Sequence, residues 1–306
     1  MLLSDAQTIT GLPKKTPLSL EEHADAIVAL QRAAVTMRRK ILYLGYANRI
    51  KLHYPALLSM TEIVTALYMH WLNIDPARPD WPARDRFTLS KGHGAPAVYT
   101  ALWMAGFFDE THFDGFRRLH SILQGHPDRI KTPGIDTSSG SLGQAFPVAC
   151  GMALGSAIDQ AGYRVYSLLG DAECNEGAIW EAAMIAANLR LDRITAIVDR
   201  NHKSSYGWMT NRNEVSPLPD KWRAFNWAVF ECDGHDFVSL TQALHEAEAV
   251  EGQPSVIIAH TVKGKGLPIT ERPDTPAHIA LTPEDYRACL DYLDEVEKGL
   301  EHGSRA

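Results

Sequence analysis

The alternation of apolar strands with helices along the middle of the chain is the feature that most constrains its fold. Residues 163–169 predict a buried strand, residues 175–191 a helix with one apolar face, and residues 194–198 a second buried strand. Two further apolar strands are predicted at 227–230 and 255–259. Strands joined through helices form parallel sheets, because the connecting helix has to cross one face of the sheet. The sequence therefore predicts an α/β fold, a parallel sheet with helices on both faces.

Helical segments flank a short strand predicted at 86–89. A helix at 19–44 has Ser19 as its cap and acidic residues in its first turn, where the helix dipole favours them. A second helix at 59–71 is predicted to begin with a capping box formed by Ser59 and Glu62. Further helices are predicted at 95–104, at 145–160 and from 281 to about 300.

Charge and composition exclude several classes of protein. The net charge of −7 and the pI near 6.0 do not supply the basic surface that general nucleic-acid binding requires. The apolar stretches fall short of the roughly 20 residues of a membrane span, and the N-terminus lacks the pattern of a secretory signal. The 4 cysteines are far apart, without zinc-site spacing, which indicates a reducing compartment. We therefore expect a cytoplasmic protein that binds neither nucleic acid nor membranes.

Two polar residues follow neighbouring predicted strands, at the edge where ligands bind in open α/β sheets. Asp171 follows one strand, and Asn201 follows the next strand about thirty residues later. Carboxylate and amide oxygens suit Mg²⁺ or Ca²⁺ held jointly with a diphosphate, and the helix N-terminus after Asp171 favours phosphate groups. The sequence thus predicts a metal and diphosphate site at this edge. The structural alternative is a pair of ordinary strand-end turn residues.

The motifs around these residues resemble those of transketolases. The segment Gly170-Asp171-Ala172, followed after about thirty residues by Asn201, resembles the thiamine-diphosphate signature. Several other segments occur in the order found in that family: SKGHGAP at 90–96, LQGHPD at 123–128, SSGSLGQ at 138–144 and VKGKG at 262–266. Together they cover roughly residues 20–300. The chain thus resembles the N-terminal, diphosphate-binding half of a transketolase.

The resemblance implies an arrangement of domains and a partner. We expect an N-terminal tail at 1–18, a thiamine-diphosphate- and metal-binding α/β domain at 19–270, and a linker and helix at 271–306. Complete transketolases continue with a pyrimidine-binding domain, which carries the glutamate that activates the cofactor, and with a C-terminal domain. A split transketolase is therefore expected, in which a partner subunit supplies those domains in an α2β2 assembly. The family's phosphate-binding residues lie largely on that missing half.

The resemblance also implies how thiamine diphosphate and Mg²⁺ (or Ca²⁺) are held. Asp171 and Asn201 would bind the metal through their side chains, and Lys203 through its backbone carbonyl. Asn201 would also contact the cofactor. The other residues implied to bind the cofactor are His93 on the diphosphate side, the backbone around Gly170 and Ala172, the loop residues Gly140, Leu142 and Gly143, and Glu176, which in the family reaches the partner's activating glutamate.

Three histidines are implied to act in catalysis. His53 and His278 would act on the hydroxyls of the sugar and on proton transfers, and His278 would also contact the cofactor. His126 would hold the C1 hydroxyl of the two-carbon unit. Neutral imidazoles can accept and donate protons near pH 7. For any one histidine the alternative is a structural role. Arg117 is a further candidate, either as a residue at the substrate entrance or, equally, as an exposed arginine on a helix.

The implied activity is transfer of a two-carbon ketol unit from a ketose, phosphorylated or otherwise modified, to an aldose. Residues 51–58, KLHYPALL, differ from the Ser-Gly-His and small residues that relatives commonly show. Bulky residues beside His53 predict a reshaped pocket wall. We therefore expect a substrate other than the ordinary pentose phosphates: a modified sugar, a sulfosugar or an intermediate of a specialised pathway.

Two alternatives remain at this point. One is the α subunit of another split thiamine-diphosphate enzyme, a 2-oxoacid dehydrogenase or decarboxylase or a protein similar to deoxyxylulose-phosphate synthase. The histidines in SKGHGAP and GHP argue against a 2-oxoacid dehydrogenase subunit. The other is a non-catalytic subunit that only binds a partner, for which the pair Asp171 and Asn201 would have no physical use.

Overall fold

The architecture of the chain, seen in a computed structural model that describes residues 14–303, is built on a parallel sheet. The strands are β1 (Arg86–Leu89), β2 (Val165–Gly170), β3 (Ile194–Arg200), β4 (Lys203–Ser204), β5 (Gly207–Trp208), β6 (Ala228–Asp233) and β7 (Ser255–His260). Five of them form one sheet in the order β1-β2-β3-β7-β6, and every neighbouring pair is parallel. The short strands β4 and β5 form a separate antiparallel pair. The predicted fold class is confirmed.

Helices cover both faces of this sheet. They are α1 (Leu20–Ala47), α2 (Tyr54–Leu58), α3 (Thr61–Ala66), α4 (Ala95–Met104), α5 (Ala145–Ile158), α6 (Gly177–Asn188), α7 (Leu218–Ala224), α8 (Phe237–Glu248) and α9 (Pro283–Gly303). Successive strand residues point to opposite faces. Tyr166 and Leu168 therefore join a core with α1, α3, α4 and α8, whereas Val165 and Leu169 join a second core with α5, α6 and α7. Strands buried on both faces explain the continuous apolar runs in the sequence.

The helix boundaries confirm part of the sequence interpretation and correct one detail. Ser19 caps α1, because its Oγ accepts a hydrogen bond from the backbone N–H of Glu22 at 3.3 Å. The capping box predicted for Ser59 and Glu62 is wrong. Ser59 follows the end of α2, and its hydroxyl donates to Asp199 at 2.6 Å, while the Glu62 carboxylate accepts from Arg38. Tertiary partners from distant parts of the chain have replaced the local cap.

The two ends of the described chain pack against the same core. The predicted C-terminal helix is present as α9, which lies on α1 with the rings of Tyr46 and Tyr286 stacked 4.1 Å apart. Most of the proposed tail at 1–18 lies outside the described residues; within its described part, Leu18 is buried. Within residues 14–303 no helix is long and apolar enough to cross a membrane. The cysteines are buried and unpaired.

Candidate cofactor site

The carboxyl ends of β2 and β3 bring Asp171 and Asn201 to one cavity of about 530 Å³. The two strands are neighbours, with Gly170 in register with Asp199, so the residues that follow them meet at the same edge of the sheet. The side chains of Asp171 and Asn201 line the cavity together with Lys203. This is the placement that the sequence predicts.

Backbone N–H groups hold the candidate metal ligands in place. The two carboxylate oxygens of Asp171 accept hydrogen bonds from Ala172 N at 2.7 Å and from His202 N at 2.6 Å. The amide oxygen of Asn201 accepts from Lys203 N at 3.2 Å. Burial, reinforced by the charge of Asp199, raises the pKa of Asp171 to about 6. A carboxylate has about four acceptor positions, so Asp171 keeps free lone pairs for a cation.

A cation at this edge would be bound by one carboxylate and otherwise by amide and backbone carbonyl oxygens. No group of three or more His, Cys, Asp or Glu residues in the part of the chain that the structure describes could hold a metal ion. The set Asp171, Asn201 and the carbonyl of Lys203 includes only one such residue. Hard oxygen ligands of this mixed kind suit Mg²⁺ or Ca²⁺ when a ligand phosphate completes the coordination.

Two lysines give the cavity a positive wall. The ammonium group of Lys263 donates to the carbonyls of Lys203, at 3.0 Å, and of Ser204, at 2.9 Å. Burial, followed by the charge of Lys91, lowers the pKa of Lys263 to about 8. Both lysines line the cavity. They lie in the motifs SKGHGAP and VKGKG, whose resemblance to a family assigns them no role, yet their positive charge would attract the phosphate groups of a ligand in this cavity.

Beneath the cavity, Lys91 and Asp199 form a buried ion pair. The carboxylate of Asp199 also accepts hydrogen bonds from the hydroxyls of Ser59 and Thr261. Burial opposes the charge of Asp199, but the Lys91 ammonium and these hydrogen bonds outweigh burial and lower the pKa of Asp199. Lys91 also donates to the carbonyl of Ala56 at 3.3 Å. The pair thus ties α2 and the ends of β1, β3 and β7 together.

The carboxylate of Glu173 joins three segments around the cavity: the turn after β1, the loop before α5 and the end of β2. One oxygen accepts from the hydroxyl of Ser90 at 2.6 Å and from Gly143 N at 2.8 Å, and the other accepts from Gly170 N at 3.0 Å. Burial raises the pKa of this carboxyl group. Gly143 has a φ of +77°, and a Cβ there would lie 2.7 Å from the Cβ of Glu176. Sequence reasoning missed Glu173, because an acid that opens a helical turn normally needs no further explanation.

Replacing Glu173 by glutamine should lower the free energy of unfolding by about 1–3 kcal/mol, the usual cost of leaving a buried donor unsatisfied. The amide NH₂ of glutamine would have to face either the N–H of Gly170 or the two donors at the other oxygen. Urea denaturation measures the change. Glu181→Gln, at an exposed site on α6, is the matched control and should change stability by less than about 0.5 kcal/mol. Equal effects of the two substitutions would contradict this role of Glu173.

Three of the predicted histidines form a cluster at the cavity. The His53 ring centroid lies 5.0 Å from that of His93 and 4.9 Å from that of His278. Burial, followed by the charge of Lys263, lowers the pKa of His53 to about 3. Burial and the charge of Lys91 lower the pKa of His93 well below its ordinary value. Both rings are therefore neutral near pH 7. The buried Nδ1 of His53 has no hydrogen-bond partner among the described residues.

Most of the predicted site residues line the cavity itself. They are His53, His93, Leu142, Gly170, Asp171, Ala172, Glu176, Asn201 and Lys203. Gly140, Gly143, His126 and His278 are not among its lining residues. A Cβ on Gly140 would lie 3.3 Å from the ring of His126, and Gly143 is bound to Glu173, so these residues surround the site at a short distance.

Two details of the sequence interpretation are corrected by the structure. Of the residues that follow His53 in α2, only Ala56 lines the cavity, because Tyr54 turns into the core towards Gly45 and Leu58 is fully buried. The bulky residues therefore fill the core and do not reshape the pocket wall as predicted. Arg117 lies in a turn with a φ of +61°, not in a helix.

Comparison with known proteins identifies relatives along most of the chain. The family model "Transketolase, thiamine diphosphate binding domain" matches residues 32–289. The chain is 42% identical over 243 residues to 6-deoxy-6-sulfo-D-fructose transketolase subunit SqwG of Clostridium sp. (strain MSTE9), covering 79% of this chain and 88% of that protein. It is 39% identical over 246 residues to an apulose-4-phosphate transketolase subunit of Actinobacillus succinogenes, covering 80% and 89%.

Longer proteins match over only part of their length. A transketolase from Campylobacter jejuni superposes with a TM-score of 0.78 at 26% identity, covering 88% of this chain and 43% of that chain. A transketolase from Leishmania mexicana, at 24% identity, shows the same fold with a TM-score of 0.74 and covers 89% and 46%. The chain therefore spans less than half the length of these solved structures, but most of the length of the two subunits above.

Proposed function

Because this chain belongs to the transketolase family, through its thiamine-diphosphate-binding domain, we propose that it is the N-terminal subunit of a two-subunit transketolase. In this role it transfers a two-carbon ketol unit from a ketose to an aldose. The observation that carries the proposal is the cavity at the carboxyl edge of the sheet, where Asp171 and Asn201 lie with the neutral ring of His53. The two relatives that align with this chain over most of their length are themselves named as subunits of transketolases.

The residues at the cavity fit thiamine diphosphate and a divalent cation. Asp171, Asn201 and the carbonyl of Lys203 would hold Mg²⁺ or Ca²⁺, and the backbone at Gly170 and Ala172 would face the diphosphate. A volume of about 530 Å³ lies within the range of cofactor pockets. When bound, thiamine diphosphate supplies the carbon nucleophile for the ketose carbonyl and the electron sink for the broken C–C bond.

The protein's own groups then hold the sugar and move its protons. His53 lines the cavity as a neutral ring, so we assign it to hydrogen bonding with a sugar hydroxyl and to the proton transfer made there. His278, whose ring lies beside that of His53, is placed to share the proton transfer. His93 would contact the diphosphate side, and His126 would hold the C1 hydroxyl from its place behind Gly140. Leu142 supplies an apolar contact for the cofactor rings.

The substrate we propose is a modified ketose with an anionic terminal group. The two subunits described above are named for 6-deoxy-6-sulfo-D-fructose and for apulose 4-phosphate, sugars that carry a sulfonate and a phosphate. Neither is an ordinary pentose phosphate. Their shared feature is a tetrahedral anion at one end of a short sugar.

A partner subunit that carries the remaining transketolase domains is part of this proposal, in an α2β2 assembly within the cytoplasm. Large apolar side chains are exposed on the adjacent helices α5 and α6 and at the C-cap of α6: Val148, Ile158, Met184, Ile185 and the cap residue Leu189. An apolar surface of this kind is typical of a protein interface. Glu176, the N-cap of α6, lines the cofactor cavity, and Gln144, the N-cap of α5, follows Gly143, whose N–H is bound to Glu173 in the cavity wall. A partner on this face would therefore reach the site.

A donor-cleavage assay tests the proposed function. The chain and its candidate C-terminal partner are assayed separately and mixed, with thiamine diphosphate and Mg²⁺, on fructose 6-phosphate, 6-deoxy-6-sulfofructose and L-erythrulose. We expect turnover only in the mixture. Binding of the cofactor with turnover of 2-oxoacids and of no ketose would favour a 2-oxoacid enzyme instead. The absence of cofactor binding in the mixture would refute a catalytic role for this chain.

A further inference from the structure

A second pocket, of about 440 Å³, has His278 of the histidine cluster among its lining residues. It is lined by Lys51, Arg272 and His278, among others. The ring of His278 lies 4.9 Å from that of His53, which lines the cofactor cavity. The two pockets are therefore lined by neighbouring histidines and lie next to each other. A sugar that reacts at His53 and is too long for the cofactor cavity would extend into this second pocket.

The backbone places Lys51 on the same side as the two histidines. Leu52 and Ile279 form an isolated antiparallel bridge, with hydrogen bonds of 3.1 and 3.0 Å in the two directions. Alternate residues of such a bridge point to the same side, so Lys51 follows the side of His53 and lies about 7 Å along the chain from it. This separation is comparable to the length of a pentose or hexose. An anion bound at Lys51 could thus belong to a sugar whose other end lies at His53.

The two cations of this pocket have no ionic partners. Neither Lys51 nor Arg272 makes a side-chain hydrogen bond or ion pair within residues 14–303. Asp274 also lines the pocket, but its charge acts on Lys203, where it opposes the lowering of the pKa by burial. Two exposed cations that face one pocket repel each other, and an anion between them would remove that cost.

We propose that Lys51 and Arg272 bind the anionic terminal group of the ketose donor, a phosphate or a sulfonate, while the reacting end of the sugar lies at His53. This inference rests on the proposed transketolase function and adds a specificity site on this chain. Arginine offers a planar, bidentate contact to such a tetrahedral anion, and lysine adds a mobile point charge.

The test compares donors that differ in their terminal charge. Steady-state kinetics of the reconstituted complex are measured with fructose 6-phosphate, with 6-deoxy-6-sulfofructose and with the neutral donor L-erythrulose. Lys51→Met and Arg272→Met should each raise KM for an anionic donor about tenfold, the effect of one hydrogen bond to a charged group. Their KM for L-erythrulose should stay unchanged. Arg32→Met, at an exposed cation on α1 that lines neither pocket, is the matched control.

Each outcome decides a separate point. A larger rise in KM for the sulfonate donor assigns the pocket to sulfosugars, and a larger rise for the phosphate donor assigns it to sugar phosphates. Unchanged KM for both anionic donors, or an equal rise for L-erythrulose, would overturn the inference.

If the wild-type complex turns over no ketose, the proposed function fails, and the pocket is judged by binding alone. Fructose 6-phosphate should then raise the melting temperature of the chain more than fructose does, and the double variant should lose this difference; equal effects of the two sugars on the wild type would refute the pocket.

Discussion

Replacing Lys91 by methionine should lower the free energy of unfolding by about 3–5 kcal/mol, the cost of breaking a buried ion pair by removing one partner. Asp199 is fully buried, so its carboxylate would remain in the core without a cation. The hydroxyls of Ser59 and Thr261 would still donate to it but carry no compensating charge. Equilibrium denaturation in urea, without ligands, measures the loss.

A double-mutant cycle separates the ion pair from simple packing effects. Adding Asp199→Asn to Lys91→Met removes the uncompensated charge and keeps an acceptor for the two hydroxyls. The double variant should therefore be more stable than Lys91→Met alone, with a coupling energy of about 1–3 kcal/mol. Additive losses would show that the charges do not interact, and would contradict the buried pair.

Replacing Asp171 by asparagine should weaken Mg²⁺-dependent binding of thiamine diphosphate by at least about 100-fold, the upper end of what removing a group that supports a metal site costs. The substitution removes the negative charge. It also sets an amide NH₂ against one of the backbone N–H groups of Ala172 and His202. Calorimetric titration of the cofactor into the reconstituted complex, with and without Mg²⁺, measures the effect.

The control for this experiment is Asp159→Asn, at an exposed site at the end of α5, which should bind the cofactor as the wild type does. Because burial raises the pKa of Asp171 to about 6, its ionised form opposes folding at neutral pH in the absence of a cation. Relief of this charge offsets part of the cost of the unsatisfied N–H group, so Asp171→Asn should lower the free energy of unfolding by no more than about 1 kcal/mol, the lower end of that cost. A loss of cofactor binding accompanied by unfolding would contradict a specific role in holding the metal.

The elements that local patterns specify were predictable from the sequence. The strands that end just before Asp171 and Asn201 have apolar runs, and in a parallel sheet their carboxyl ends have to meet at one edge. The histidine cluster could be predicted only from the resemblance to a family. His53 and His278 are far apart in sequence, and no local pattern relates them.

The parts that sequence reasoning missed depend on partners far along the chain. Ser59 fits a local capping box, yet its hydroxyl is bound to Asp199, 140 residues away. Its position next to His53 predicts that Tyr54 lines the pocket, but its side chain packs in the core against Gly45 of α1, where the missing Cβ leaves room for it. In the sequence, Glu173 resembles an ordinary acid at the start of a helix. Its role becomes clear only in the structure, where three segments of the chain each donate a hydrogen bond to its carboxylate. Such contacts depend on tertiary packing, which overrides local preference.

The shared carboxylate of Glu173 has a consequence for the motions of the site. The amide hydrogens of Gly143 and Gly170 are held by the same side chain, although 27 residues separate them in the chain. Neither the Gly143 loop nor the end of β2 can detach without releasing a donor from that carboxylate, so local opening at one of them weakens the other. We therefore expect the amides of Gly143 and Gly170 to exchange with solvent as one cooperative unit, so that a ligand that orders the Gly143 loop also protects the end of β2.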